Sequence, residues 1–117
     1  MLPYKQLIVW QKSFSLVVKI YKNTETFPPT ERFGLQSQIR RAAISIPSNI
    51  AEGSKRGTQK DYNSFLRIAY GSGAELETQL LLAKELGYIP EKSFVTLEKE
   101  LEEVQKMLNA MIKKFTS

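Results

Sequence analysis

A chain of 117 residues, 42% hydrophobic and 25% charged, fits one compact domain spanning residues 1–117. It has no histidine and no cysteine, which excludes disulfide scaffolds, Cys/His zinc modules and bundles that hold a di-iron centre through E-x-x-H pairs. The net charge of +5 sits in the first half: residues 1–30 carry four lysines against Glu25, and residues 31–60 carry six basic groups against Glu31 and Glu52. A basic half of this kind points to a polyanionic partner, nucleic acid before others.

Four blocks of apolar residues recur at helical spacing. The first is read as Leu7, Trp10, Phe14, Val17 and Tyr21, widened by Val18 and Ile20. Pro28-Pro29 stops it, and Thr30 is placed to cap the next helix with Glu31 in its first turn. The second block runs through Phe33, Ile39, Ala43, Ile46 and Ile50. Gly53 and Gly57 bracket the break after it, and Thr58 with Asp61 forms a capping start for the third. That block uses Tyr62, Leu66, Ala69, Gly73, Leu76, Leu80 and Ala83, its small residues allowing a neighbouring backbone close. Gly87 suits a C′ stop and Pro90 a helix start. The fourth block is Phe94, Leu97, Leu101, Val104, Leu108, Met111 and Phe115, with the glutamates between them read as a solvated face holding pairs such as Glu102–Lys106. No strand-like alternation competes. Short connections make the expected fold all-α, an antiparallel up-down-up-down four-helix bundle. Met1-Leu2-Pro3 does not open a leader, and the longest uncharged stretch, Ala42 to Ala51, is about half a bilayer span. A cytoplasmic protein with no membrane partner is expected.

The segment from Gln38 to Gly57 concentrates the functional signal. At 100° per residue, Ile39, Ala43, Ile46 and Ile50 fall within about 60° of one another and face the core. Gln38, Arg41, Ser45, Ser48 and Glu52 share the opposite side, and Arg40 lies between. Pro47 removes the amide that would bond to the Ala43 carbonyl, so a kink is expected there, with Ser45, Ser48 and Asn49 available to satisfy freed backbone groups. Arg41 and Glu52 are three turns apart, too far to pair within one helix, so their pairing is placed across a subunit interface. Arg40, Arg41, Lys55, Arg56 and Lys60 suit phosphate contacts, with Lys12, Lys19 and Lys22 adding to the field. Tyr62 and Tyr70 are either base-stacking groups or buried tyrosines.

No catalytic set is marked: no P-loop, no G-x-S-x-G, no metal-ligand spacing. No catalytic residue, metal or cofactor is expected. The leading reading is an oligomeric, non-enzymatic nucleic-acid-binding protein with mostly backbone-directed contacts. The alternative is an oligomeric scaffold that recruits another protein.

Trp10, the stretch from Ile20 to Gly53 that contains IRRAAISIPSNIAEG, and the stretch from Tyr62 to Ile89 resemble the bacterial 23S rRNA intervening-sequence protein family. The resemblance implies a four-helix bundle assembling as a homopentamer, akin to the accessory proteins of diversity-generating retroelements, which are basic and bind nucleic acid. It marks Arg40, Arg41, Ser48, Asn49, Glu52 and Gly53 as a signature with a structural or interface role. Gly71 and Gly73 make the third helix unusually rich in glycine beside that family.

Overall fold

A computed structural model describes residues 3–116; Met1 and Leu2, which figure in the leader reading, lie outside them. A single 3₁₀ turn, Tyr4–Gln6, precedes helix α1, Ile8–Thr24. A second, Pro29–Glu31, precedes α2, Leu35–Ser54; α3 spans Gln59–Glu85 and α4 Glu91–Thr116. No strand occurs among the described residues, and none of their helices is long and apolar enough to cross a membrane. The helices lie along a body of 43 × 24 × 21 Å. Each helix packs on two others: α2 on α1 and α3, α4 on α3 and α1. Neither diagonal pair packs, so the four helices surround one core.

The α3 stripe is buried as its spacing predicts, from Tyr62 through Ala83. In α4, Phe94, Leu97, Leu101, Val104 and Leu108 are buried together with Ile112, while Met111 and Phe115 pack at the margin. Each fully buried leucine or isoleucine contributes about 1.5–3 kcal/mol of transfer free energy. The punctuation of α3 is local and matches its chemistry. Thr58 Oγ1 accepts the Asp61 amide at 3.1 Å. At the other end, the Tyr88 amide donates to the Ala83 carbonyl at 2.9 Å and the Gly87 amide to that of Lys84 at 3.0 Å. That is a Schellman closure around Gly87, whose φ of 79° favours glycine. Pro90 sits one residue before α4 and accepts its first helical bond, from the Phe94 amide.

Two expectations about the core change. In α1 the buried residues are Val9, Ser13, Leu16, Ile20 and Thr24, one position round from the Trp10–Phe14–Val17–Tyr21 stripe. Small polar residues complete the buried face because their hydroxyls bond within the helix. Ser13 Oγ donates to the Trp10 carbonyl at 2.9 Å, and Thr24 Oγ1 to the Ile20 carbonyl at 2.8 Å. The second change is Phe33, which is 90% exposed rather than part of the core. Helical register in α2 begins only at Leu35, so Phe33 lies in the preceding turn and off the stripe.

The start of α2 also differs from expectation. Thr30 lies inside the 3₁₀ turn, and the Glu31 side chain does the capping, its Oε1 accepting the Leu35 amide at 3.0 Å. Further along, the helix runs unbroken through Pro47. Asn49 supports the turn after Ser45, donating from Nδ2 to the Ser45 carbonyl at 2.7 Å and to its Oγ at 2.9 Å.

Candidate nucleic-acid interface

The basic residues form two separated groups, one near the start of α2 and one just past its end. Arg41 and Lys55 are fourteen positions apart, about 21 Å along a helix axis, so the segment is not one continuous patch. The groups differ in how far their charge is already committed.

At the N-terminal end, Arg40 is bound into the fold. Its Nε donates to Thr24 Oγ1 at 2.9 Å and its NH2 group to the Tyr21 carbonyl at 3.2 Å. Its guanidinium lies 4.4 Å from the Tyr21 ring centroid. Gln36 Nε2 donates to the Thr24 carbonyl at 2.7 Å beside it. Together they supply donors to two of the last four carbonyls of α1, those of Tyr21 and Thr24, and place a cation where the helix dipole favours one. Arg41, one residue on and about 100° round, is exposed and makes no ion pair or hydrogen bond among the described residues. Arg32, not singled out by the sequence reading, and Phe33, which that reading placed in the core, join Arg40, Arg41, Gln36 and Tyr21 around a cleft of about 300 Å³. The signal that could have found Phe33 is the glycine after it: Gly34 is the N-cap of α2 and leaves Phe33 in the preceding turn.

At the C-terminal end, Arg56 pairs with Glu52 at 2.7 Å, an i,i+4 contact, and lies 4.8 Å from the Phe65 ring centroid. Glu52 is thereby engaged within its own chain. The Lys55 ammonium stands 6.0 Å from the Tyr4 ring centroid and, with Lys60, has no ion pair among the described residues. Lys60 lies in the first turn of α3, beyond Gly57, whose φ of 93° shapes the turn.

The lysines of α1 are largely spent. Lys12 pairs with Glu103 at 2.5 Å and Lys19 with Glu100, both across to α4. The hydrogen bond from Lys12, and then its charge, holds the Glu103 carboxyl below its usual range. The expected Glu102–Lys106 pair forms at 3.2 Å, but Glu100 and Glu103 turn towards α1 instead of forming part of a free acidic face. Only Lys22 of the three α1 lysines carries no ion pair among the described residues.

The rest of the signature is mainly packing. Gly53 is buried against α3: a Cβ there would sit 2.7 Å from Phe65 Cβ and 3.1 Å from Tyr62 Cδ1. Ser45, placed by the helical wheel on the outer side, instead shares a 2.7 Å hydrogen bond with Ser72 of α3. Ser48 is exposed and lines an open apolar groove of about 290 Å³ with Trp10, Phe14, Val17, Ile44 and Pro47. Tyr62 is buried against Phe115 rather than available to a base, whereas Tyr70 is exposed. At Gly73 the close neighbour is a side chain, not a backbone: the Gln105 amide lies over it and donates to the Tyr70 carbonyl at 2.8 Å. No group of three or more His, Cys, Asp or Glu placed to hold a metal ion occurs among the described residues.

Comparison with known proteins agrees on one family. No curated protein matches the chain. A crystal structure of a protein of unknown function from the S23 ribosomal protein family of Bacteroides thetaiotaomicron superposes with a TM-score of 0.83. It is 27% identical, and the match covers 91% of this chain and 96% of that one. The sequence model for the 23S rRNA-intervening sequence proteins matches residues 5–110. With the match running from the turn before α1 nearly to the end of α4, the chain belongs to the 23S rRNA-intervening sequence protein family.

Proposed function

We propose that this chain is a non-enzymatic, self-associating protein that binds RNA or DNA mainly through phosphates, without a metal or cofactor. One observation carries the reading: on and beside α2 the cations Arg32, Arg41, Lys55 and Lys60 have no ion pair among the described residues, whereas Lys12 and Lys19 are matched by glutamates of α4. Unmatched charge on one helix and its flanks is what a phosphate backbone recruits. Family membership is in keeping with an RNA partner, and a cytoplasmic setting goes with it.

Residue pairs run in opposite chain directions across the α2–α3 contact, Ser45 with Ser72 and Gly53 with Phe65. The same holds for α1–α4, Lys12 with Glu103 and Lys19 with Glu100, and for α3–α4, Arg67 with Thr116 and Tyr70 with Gln105. They support an up-down-up-down bundle. Self-association rests on two separate apolar surfaces. One is the α1–α2 groove around Phe14 and Ile44; the other includes Leu81, Leu82 and Leu86 near the end of α3. Two different surfaces suit a head-to-tail contact, which gives a ring where its rotation closes, and five subunits is the number the family resemblance implies.

A salt titration of binding to short RNA and DNA, single-stranded and duplex, tests the proposal. The expected result is a steep negative slope of log affinity against log salt. No binding at low salt overturns it and leaves the scaffold reading. Light scattering tests assembly separately, and a monomer at micromolar concentration overturns the ring.

A further inference from the structure

We infer that the cleft formed by Arg32, Phe33, Arg40 and Arg41 at the start of α2 takes an unpaired nucleotide, its base on the Phe33 ring and its phosphates between Arg32 and Arg41. The inference rests on the nucleic-acid reading above and narrows it to single-stranded or unstacked segments. Phe33 has the largest fractional exposure of the large apolar residues among those described, at 90%, so nearly its whole ring is available to a ligand. The guanidinium of Arg32 lies over one face of that ring, 5.6 Å from its centroid, which leaves the opposite face to receive a base with a cation behind the ring. Arg41 faces the same cleft with its charge uncommitted.

The opposite wall is already rigid. Arg40 is held by Thr24 and Tyr21, and Gln36 by the Thr24 carbonyl. A ligand therefore has to order only Phe33, Arg32 and Arg41. An aromatic face with flanking arginines is the chemistry that binds single strands without reading sequence, because every base has a π-face while the phosphates supply charge. The interior of a duplex offers no such face, since its bases are stacked on each other. A cleft of about 300 Å³ has room for one base, not for a duplex.

The test compares wild type with Phe33→Ala, Phe33→Leu and Phe33→Trp, using labelled oligouridine, oligothymidine and a blunt duplex of equal length at fixed low salt. Because Phe33 is exposed, the thermal unfolding of these variants is expected to match wild type, and light scattering follows their assembly. The expected result is that alanine and leucine each weaken single-strand binding by roughly tenfold, the loss of one stacked base. Tryptophan restores it, and duplex binding stays unchanged. Equal single-strand binding by the alanine variant overturns the inference while leaving phosphate binding in place. Leucine behaving as wild type overturns it as well, because apolar area rather than stacking is then sufficient. An alanine variant that loses its assembly overturns it in favour of a subunit contact at Phe33. Absence of binding to every probe by wild-type protein overturns the underlying nucleic-acid reading and the inference with it.

Discussion

The Tyr88 hydroxyl donates to Glu31 Oε2 at 3.0 Å, while the other oxygen of the same carboxylate accepts the Leu35 amide at 3.0 Å. One side chain thus caps α2 and ties its start to the turn between α3 and α4, next to Phe27, whose ring centroid is 5.3 Å from that of Tyr88. Glu31→Ala is expected to lower stability by about 1 kcal/mol, the ordinary worth of an N-cap. A denaturant midpoint unchanged from wild type refutes the capping role.

The same contact sets a pH dependence. The hydrogen bond to Glu31, followed by burial and the carboxylate's negative charge, raises the Tyr88 pKa above 10.0, and burial raises that of Tyr62. A raised folded-state pKa means that the protonated phenol is favoured in the native state. The associated stability is fully present below about pH 10, the unfolded value, and disappears as the pH climbs through the folded values. Ultraviolet titration of tyrosinate should show a high-pH component that is lost in Tyr88→Phe and shifts down in Glu31→Gln. A Glu31→Gln curve identical to that of wild type contradicts the contact.

Glycines of this chain separate by what surrounds them. Gly53→Ala forces a methyl against Phe65 Cβ and the Tyr62 ring, an overpacking that costs about 1–3 kcal/mol. Gly71→Ala meets nothing within 4 Å on a helix, and a gain of about 0.5–1 kcal/mol is expected from helix propensity. Thermal melts of the two variants should move in opposite directions.

The neighbouring arginines of α2 should separate in the same way. Arg40→Ala removes two hydrogen bonds and a cation–ring contact that hold the end of α1, so stability falls by about 1.5–3 kcal/mol. Arg41→Glu leaves stability within about 0.5 kcal/mol, as for other surface substitutions. Under the proposed function it is expected to weaken nucleic-acid binding and to reduce the salt slope by about one. Lys12→Gln, whose charge already pairs with Glu103, is the control expected to leave that slope unchanged.

Phe14 is 52% exposed in the groove between α1 and α2. Phe14→Asp is expected to leave the helical circular dichroism signal intact and to shift the light-scattering mass downwards. An unchanged mass removes the groove from the assembly.

How far the residues alone reach depends on the range of the interaction. The stripes of α3 and α4, the Thr58 cap and the Gly87 closure are legible because each is settled within a few positions by helical period, hydroxyl chemistry or backbone conformation. In α1 two apolar stripes lie one position apart. The larger side chains mark the outer one, and burial of Ser13 and Thr24 becomes affordable only through bonds within the helix. Phe33 reads as core by type and becomes surface because α2 starts after it. Most hidden from the sequence is the fate of the charges. The sequence by itself determined an all-helical chain with a basic first half. Only the tertiary structure decided which cations remain unmatched, because Glu100 and Glu103 reach Lys19 and Lys12 across more than eighty residues of chain, and Arg40 turns to the end of α1 while Arg41 faces outward.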